Sequence, residues 1–443
     1  MTAVADHHRL RRRPGRRLAV AAVIMVLADV AMVFSMAAHV HWGWHLLAAV
    51  LLFGALARWA RRDLPTVSLR MVVIITVAIQ ATGLLVFPLT SDDIYRYVWD
   101  GRVQLAGIDP YRYVPLDPAL TFLRDAQLFP PGRPPAINRP GVHTIYPPGA
   151  QALFTAVAFA VPAPLALAAL RVVAASAVVV TTLLLGRYLN DRRGLALLYG
   201  ANPLVMVEAA NGGHLDALVA LAVLGVIWCT VLRRFWWAGV LLGLAASLKL
   251  VPLLLVPVLL RRGRWRTPVT AIAITVGGYL PHLLVVGTLV LGYLPGYLQE
   301  EGYDSGGRFA LLTWLPSETR PLAAAGIAGA LAVLAFLRSG RDPVAVTCCW
   351  LFGASLLVAT PVYPWYALPL AVLVIMSQRW EWLSVWAAAY VAFVFDHSAV
   401  AQIAAYGTSL GVVVWSTLRR ALLIRRMPVS IVSGDDPVRS RAG

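Results

Sequence analysis

Charge is what this 443-residue chain has least of: 13% of its residues are acidic or basic, against 59% hydrophobic, and its mean hydropathy is +0.72. A soluble domain carries about a quarter charged residues, so a water-soluble fold is excluded and a polytopic membrane protein is expected. Lysine is nearly missing; Lys249 is the one lysine among 38 basic residues. Cysteine is scarce as well. Cys229 and the pair Cys348–Cys349 all fall inside apolar runs, which excludes a disulfide framework or a cysteine zinc site. A Walker loop, a dinucleotide-binding glycine fingerprint and an HExxH motif are all absent. So is any polar stretch large enough to form a nucleotide-binding domain. Chemistry fed by a soluble nucleotide donor at an inside domain is thereby excluded.

What is there is a succession of apolar runs. They lie at approximately 18–38, 43–58, 70–89, 165–186, 195–210, 214–232, 235–248, 250–260, 268–291, 321–337, 343–360, 364–378, 382–396 and 398–418. At about 20 residues per crossing they predict an all-α helical bundle of about 12–14 transmembrane helices, several of them short. The net charge of +17 sits mostly as arginine in short loops between these runs, which points to membrane orientation rather than nucleic acid. Placing both termini in the cytoplasm puts most basic residues inside. It also makes 148–186 cross only once, so Gln151 to Val161 is expected to be a re-entrant or interfacial helix. The basic start, ArgArgArgProGlyArgArg, precedes a run too long for a signal peptide and is read as leading into a retained helix. The expected organisation is a basic tail over 1–17, a membrane domain over 18–426 and a disordered tail over 427–443. Two long loops, 90–147 and 292–320, emerge on the outer face, the first carrying juxtamembrane helices.

The densest polar cluster opens the first of these loops. Residues 91–102 read SerAspAspIleTyrArgTyrValTrpAspGlyArg, directly after a lipid-compatible run. Charge beside lipid is costly and is retained for chemistry or transport. Asp92 and Asp93 can serve as general base, metal ligand or sugar anchor; the structural alternative is that they pair with Arg96 or Arg102. Tyr146–Pro147–Pro148 precedes the interfacial helix, with His143 either a ligand or a solvated loop residue. AsnGlyGlyHisLeuAsp, over 211–216, lies at an outer turn with Glu208 one turn earlier. There His214 and Asp216 are candidate ligands, and helix packing involving Asn202 is the competing account. Lys249 suggests an anionic partner such as phosphate, or a snorkelling side chain. Thr360 to Tyr366 interleaves prolines with Tyr363, Trp365 and Tyr366, a pattern suited to shaping a groove for lipid or sugar. Asp396–His397 makes a weaker outer-face pair, and Asp29 is isolated in the first run.

In their order and shared outer-face placement, these motifs resemble the GT-C class of membrane glycosyltransferases. The likeness is to actinobacterial polyprenyl-phosphate-mannose-dependent mannosyltransferases and their glycosyltransferase family 87 relatives. It covers about residues 70–380, and two extra spans precede the one that normally starts the family core. The resemblance implies an inverting transfer, with mannose favoured, from a polyprenyl-phosphate sugar donor to a cell-envelope glycolipid or glycan acceptor at the outer face of the plasma membrane. It implies Asp93 or Asp92 as general base, with Lys249, Arg96 and Arg102 holding the lipid phosphate. His214 and Asp216 would bind donor or acceptor, and Tyr97, Asp100, Tyr146, Tyr363, Trp365 and Tyr366 complete the expected substrate-binding set. Membrane lipids are expected partners and nucleic acid is not. No cofactor is firmly implied, no metal ligand is assigned, and a divalent ion is left open. The rival function is a lipid or sugar transporter or flippase; a scaffold without activity is the third.

Overall fold

The computed structural model describes residues 16–38, 42–64, 67–263, 265–396 and 398–425. The basic stretch before Arg16, His397 and the tail 427–443 lie outside them. Among the described residues all regular structure is helical. Helices α1 (Arg16–Ala37), α2 (Trp42–Ala60) and α3 (Leu69–Gly83) come first, Ser68 capping α3 by accepting from the Met71 amide. The first long loop then supplies α4 (Asp93–Leu105) and α5 (Pro148–Ala160). After α6 (Ala166–Tyr188) come two single turns, α7 (Leu197–Gly200) and α8 (Pro203–Met206), and a π turn over Val207–Asn211.

The second half starts with α9 (Asp216–Val231), α10 (Phe235–Leu248), α11 (Val256–Gly263) and α12 (Arg266–Val286). The second long loop holds α13 (Leu294–Glu300). Helices α14 (Arg320–Arg338), α15 (Val344–Val358), α16 (Ala367–Ser377), α17 (Leu383–Val394) and α18 (Ala399–Arg425) complete the bundle. A large apolar core joins α3, α6, α9, α15, α16 and α17, while lipid-compatible side chains such as Leu27, Leu284 and Trp415 remain exposed. With its apolar helices long enough to span, this is a multi-pass membrane protein.

The helices behind the expected crossings differ in length. Among the described residues six helical segments are long and apolar enough to span, and Pro203–Asn211 with Asp216–Val231 forms one further pair bent by 114°. Six others, including Leu69–Gly83 and Phe235–Leu248, are shorter. At 1.5 Å per residue a 15-residue helix reaches about 22 Å, short of a hydrocarbon core of about 30 Å. The run at 195–210 is not a straight helix at all, because Pro203 removes an amide and the chain loosens into a π turn. The run at 250–260 divides into a 3-10 turn and the eight-residue α11.

Contacts sort the connections into two ends. Asp63 accepts from the Arg17 amide, Arg262 donates to the Asp342 carbonyl, and Arg420 pairs with Glu381 at one end. At the other, Asn211 accepts from the Leu89 amide, Asn138 meets Asp93 and Lys249 meets Asp216. The motifs singled out in sequence therefore share the end opposite most of the loop arginines.

The first loop folds as a small unit of its own. Ile94, Tyr97, Trp99, Leu120, Leu128, Ile137 and Phe154 form a second apolar core that seats α4 on α5. Helix α5 has 13 residues, too short to cross alone, and its entry is set by Pro147 and Pro148. Gly101 lets the two helices touch: a Cβ there would lie 2.4 Å from the Phe154 carbonyl oxygen. Gly101→Ala should separate α4 from α5, costing about 1–3 kcal/mol, the range for forced overpacking. A thermal-unfolding midpoint equal to wild type in detergent would show that this contact does not hold the loop.

Candidate active site

Asp92 and Asp93 start α4, and the structure treats them differently. Asp92 is the N-cap, exposed, and caps no amide through its side chain. Asp93 is only 20% exposed; its Oδ1 accepts from Asn138 Nδ2 at 2.5 Å, and its Oδ2 lies 3.9 Å from His214 Nδ1. Protein crowding around the carboxyl, then the neighbouring Asp93 charge, raises the Asp92 pKa above its usual range.

His214 is fully buried. It sits in the irregular segment between the π turn and α9, where Gly213 adopts φ +71°, a region open to glycine. A Cβ at Gly213 would meet Ile94 Cδ1 at 2.5 Å, so the same glycine lets this segment approach the start of α4. The His214 ring stacks on Trp365 at 4.1 Å, and Trp365 stacks in turn on Tyr363 at 4.7 Å. Its Nε2 lies 3.2 Å from Glu208 Oε2 without hydrogen-bond alignment, and neither ring nitrogen has a protein partner. Glu208 is buried and accepts from the Tyr390 hydroxyl at 2.5 Å. A buried imidazole between two carboxylates, with both nitrogens unmatched, is a high-energy arrangement for packing alone.

Lys249 follows α10 in extended conformation and donates to Asp216 Oδ2 at 2.6 Å, its ammonium 4.3 Å from the centre of the Tyr366 ring. It remains 16% exposed. Tyr363 donates to Glu301, which also pairs with the buried Arg308 and lies 3.9 Å from Arg139. Arg139 holds Glu300 at 2.6 Å, and this hydrogen bond keeps the Glu300 pKa below its usual range.

Other expected site residues build the walls. Arg96 and Asp100, one helical turn apart on α4, pair at 2.8 Å, both buried. Asp100 also accepts from Thr144 and Gln151, and Arg96 donates to the Val142 carbonyl. Arg102 is directed away to Asp125 at 2.8 Å and to the Leu123 carbonyl. Neither arginine pairs with Asp92 or Asp93. Tyr97 stacks on Phe154 at 4.7 Å and meets Tyr146 edge-on; burial, then the Asp93 charge, holds the phenols of Tyr97 and Tyr146 well above their usual range.

The structure thus brings Asp93, His214, Asp216, Lys249, Trp365 and Tyr366 into one cluster. Sequence reasoning missed Asn138, Glu301, Arg308 and Tyr390, whose roles arise from contacts across the fold. Only the acidic pair Glu300–Glu301 in a long loop offered a signal. Among the described residues no group of three His, Cys, Asp or Glu side chains is arranged to hold a metal ion.

Residues 144–361 match the model of glycosyltransferase family 87. This match, over just under half of the chain, supports a glycosyltransferase. No curated protein and no solved structure matches it. The family 87 match includes Tyr146, Glu208, His214, Asp216 and Lys249; Asp92 and Asp93 precede it, and Tyr363 to Tyr366 follow it.

The raised Asp92 pKa has a stability consequence. A group easier to protonate in the folded state than in the unfolded state costs stability as pH rises through its folded pKa, because the unfolded chain then releases the proton more readily. Asp92→Asn removes this cost. The unfolding midpoint of the variant should gain on wild type as pH rises from about 4, the ordinary aspartate value, through the range where the raised carboxyl ionises. A constant difference across that span would contradict the assignment.

Proposed function

We propose that this glycosyltransferase uses a polyprenyl-phosphate sugar, with mannose favoured, and passes the sugar to a hydroxyl of a glycolipid or glycan acceptor. The observation that carries the reading is the state of Asp93: partly exposed, one oxygen fixed by Asn138 and the other without a hydrogen bond, beside the buried His214. A carboxylate held at one oxygen and free at the other is set to take a proton. The same geometry favours Asp93 over the exposed, uncapped Asp92 as the base.

In the proposed step the acceptor hydroxyl gives its proton to Asp93 as its oxygen bonds to the anomeric carbon. The bond from that carbon to the phosphate oxygen breaks on the opposite face, inverting the configuration and releasing polyprenyl phosphate. Charge grows on the leaving phosphate, so a preplaced cation helps more in the transition state than before it. Lys249 is the cation assigned this role; Asp216 and the Tyr366 ring hold its ammonium in place. The Tyr363–Trp365–His214 stack offers an apolar face suited to a sugar ring.

The reading places the cluster at the outer face of the plasma membrane with both termini in the cytoplasm. Its support is the gathering of loop arginines at the opposite end of the bundle, the distribution that orients membrane proteins.

Asp93→Asn should lower transfer from polyprenyl-phosphate mannose by about 10²–10⁴-fold, the usual contribution of a general base, with the folded protein retained. Asp92→Asn should stay within about tenfold of wild type. Equal losses in both variants would overturn the choice of base. Substrate counterflow in proteoliposomes without any glycoside product would replace transfer with transport.

A further inference from the structure

At the arginine-rich end, away from the Asp93 cluster, the termini of several helices leave a cavity of about 570 Å³. Its walls come from the ends of α6, α9, α11 and α16 and the starts of α10 and α15. The acidic cluster sits at the other ends of α9 and α10. The 16 residues of α9 alone separate the two places by about 24 Å. A volume of this size falls in the range of small-molecule and cofactor pockets.

The chemistry of the lining is one-sided. Arg233 and Arg262 both face the cavity, and among the described residues no carboxylate lines it. The nearby acid, Asp342, is engaged by Arg338 at 3.3 Å. Arg262 gives one guanidinium nitrogen to the Asp342 carbonyl, while its Nε is buried without a partner. Arg233 holds φ +58°, a left-handed conformation that favours glycine, at the turn between α9 and α10. A strained backbone retained on a side chain facing a cavity points to a use for that side chain.

The third element is the start of α15. Val344, Ala345 and Val346, its first turn, line the cavity, and Pro343 before them provides no side-chain cap. The Val346 and Thr347 amides donate to the Pro343 carbonyl, which leaves those of Val344 and Ala345 as the open donors at the positive end of the helix dipole, where an anion is favoured. The rest of the wall includes Val231, Phe235 and Met376, suited to an attached hydrocarbon.

We propose that this cavity is a phosphate site, taking a phosphomonoester head group between Arg233, Arg262 and the start of α15. Guanidinium forks match phosphate oxygens in pairs, and the uncapped amides supply further donors. The site is distinct from the Asp93 cluster and does not depend on the transfer reaction assigned to it.

The test uses the full chain in neutral detergent, following the unfolding midpoint against inorganic phosphate, dihexanoyl phosphatidic acid and, as a control, dihexanoyl phosphatidylcholine. A rise with phosphatidic acid alone identifies a lipid head group; a rise with inorganic phosphate as well shows that the phosphate itself suffices. Arg233→Gln should weaken binding by about tenfold, the effect of one charge-assisted contact. Val346→Asp should abolish binding without lowering the unliganded midpoint, because a carboxylate in a helix's first turn is favourable to the helix. Asp93→Asn should bind as wild type, so failure of the base assignment and failure of this site are separately visible. No rise with either phosphate probe, or equal binding in the Arg233→Gln and Val346→Asp variants, overturns the proposal.

Discussion

Arg171 makes the interaction on which the Asp93 end of the bundle depends. It projects from α6 into the protein interior, and its guanidinium donates to the carbonyls of Ala210, Gly83 and Val86. Asn211 works beside it, donating to Gly83 and Phe87 and accepting from the Leu89 amide. Together they satisfy carbonyls left open where α3 stops, a requirement that low-dielectric surroundings make stringent. They also tie three pieces of chain into one corner: the end of α3, the π turn and the start of α6. From this corner the chain leaves in one direction toward Asp93 and in the other toward His214. A cation in a membrane-spanning helix is expensive unless its donors are used, and here they are used on backbone.

The break between Val207 and Asp216 gives that corner its polar content. A straight helix through this segment would turn successive side chains around its circumference and bury a polar stripe in the apolar core. The 114° bend ends the helix early and groups Glu208, Asn211, His214 and Asp216 at its elbow. Non-helical backbone at such depth is tolerated where it is enclosed by protein, as it is here by α3, α4, α6 and α17. The stack of Trp365 on His214 closes the elbow from the far side.

Much of this arrangement was legible in the sequence. Polar motifs between apolar runs marked the positions, and the arginine distribution predicted that they share one end, where the structure groups them. The helical class followed from hydropathy alone. Helix lengths were less legible, because hydropathy does not see Pro203 or a π turn interrupting a run. The partners of the arginines were partly within reach: Arg96 and Asp100 stand four apart on a helix, which is contact spacing. That pairing occupies one donor nitrogen of a cation expected to hold phosphate, and Arg102 turns to Asp125 instead. Tyr390 and Glu208 are 182 residues apart, and Glu301 with Tyr363 is 62 apart; such pairs exist only once the bundle has closed.

The central claim is that sugar transfer takes place at the elbow where Asp93, His214 and Lys249 meet. Its most direct test is photo-crosslinking of the membrane-embedded enzyme with a polyprenyl-phosphate sugar carrying a diazirine on the sugar, followed by mapping of the labelled peptides. The account predicts labels within 93–102, 211–216 and 363–366, competed away by unlabelled donor. Competed labels confined to the arginine-rich end, with none in these segments, would contradict it.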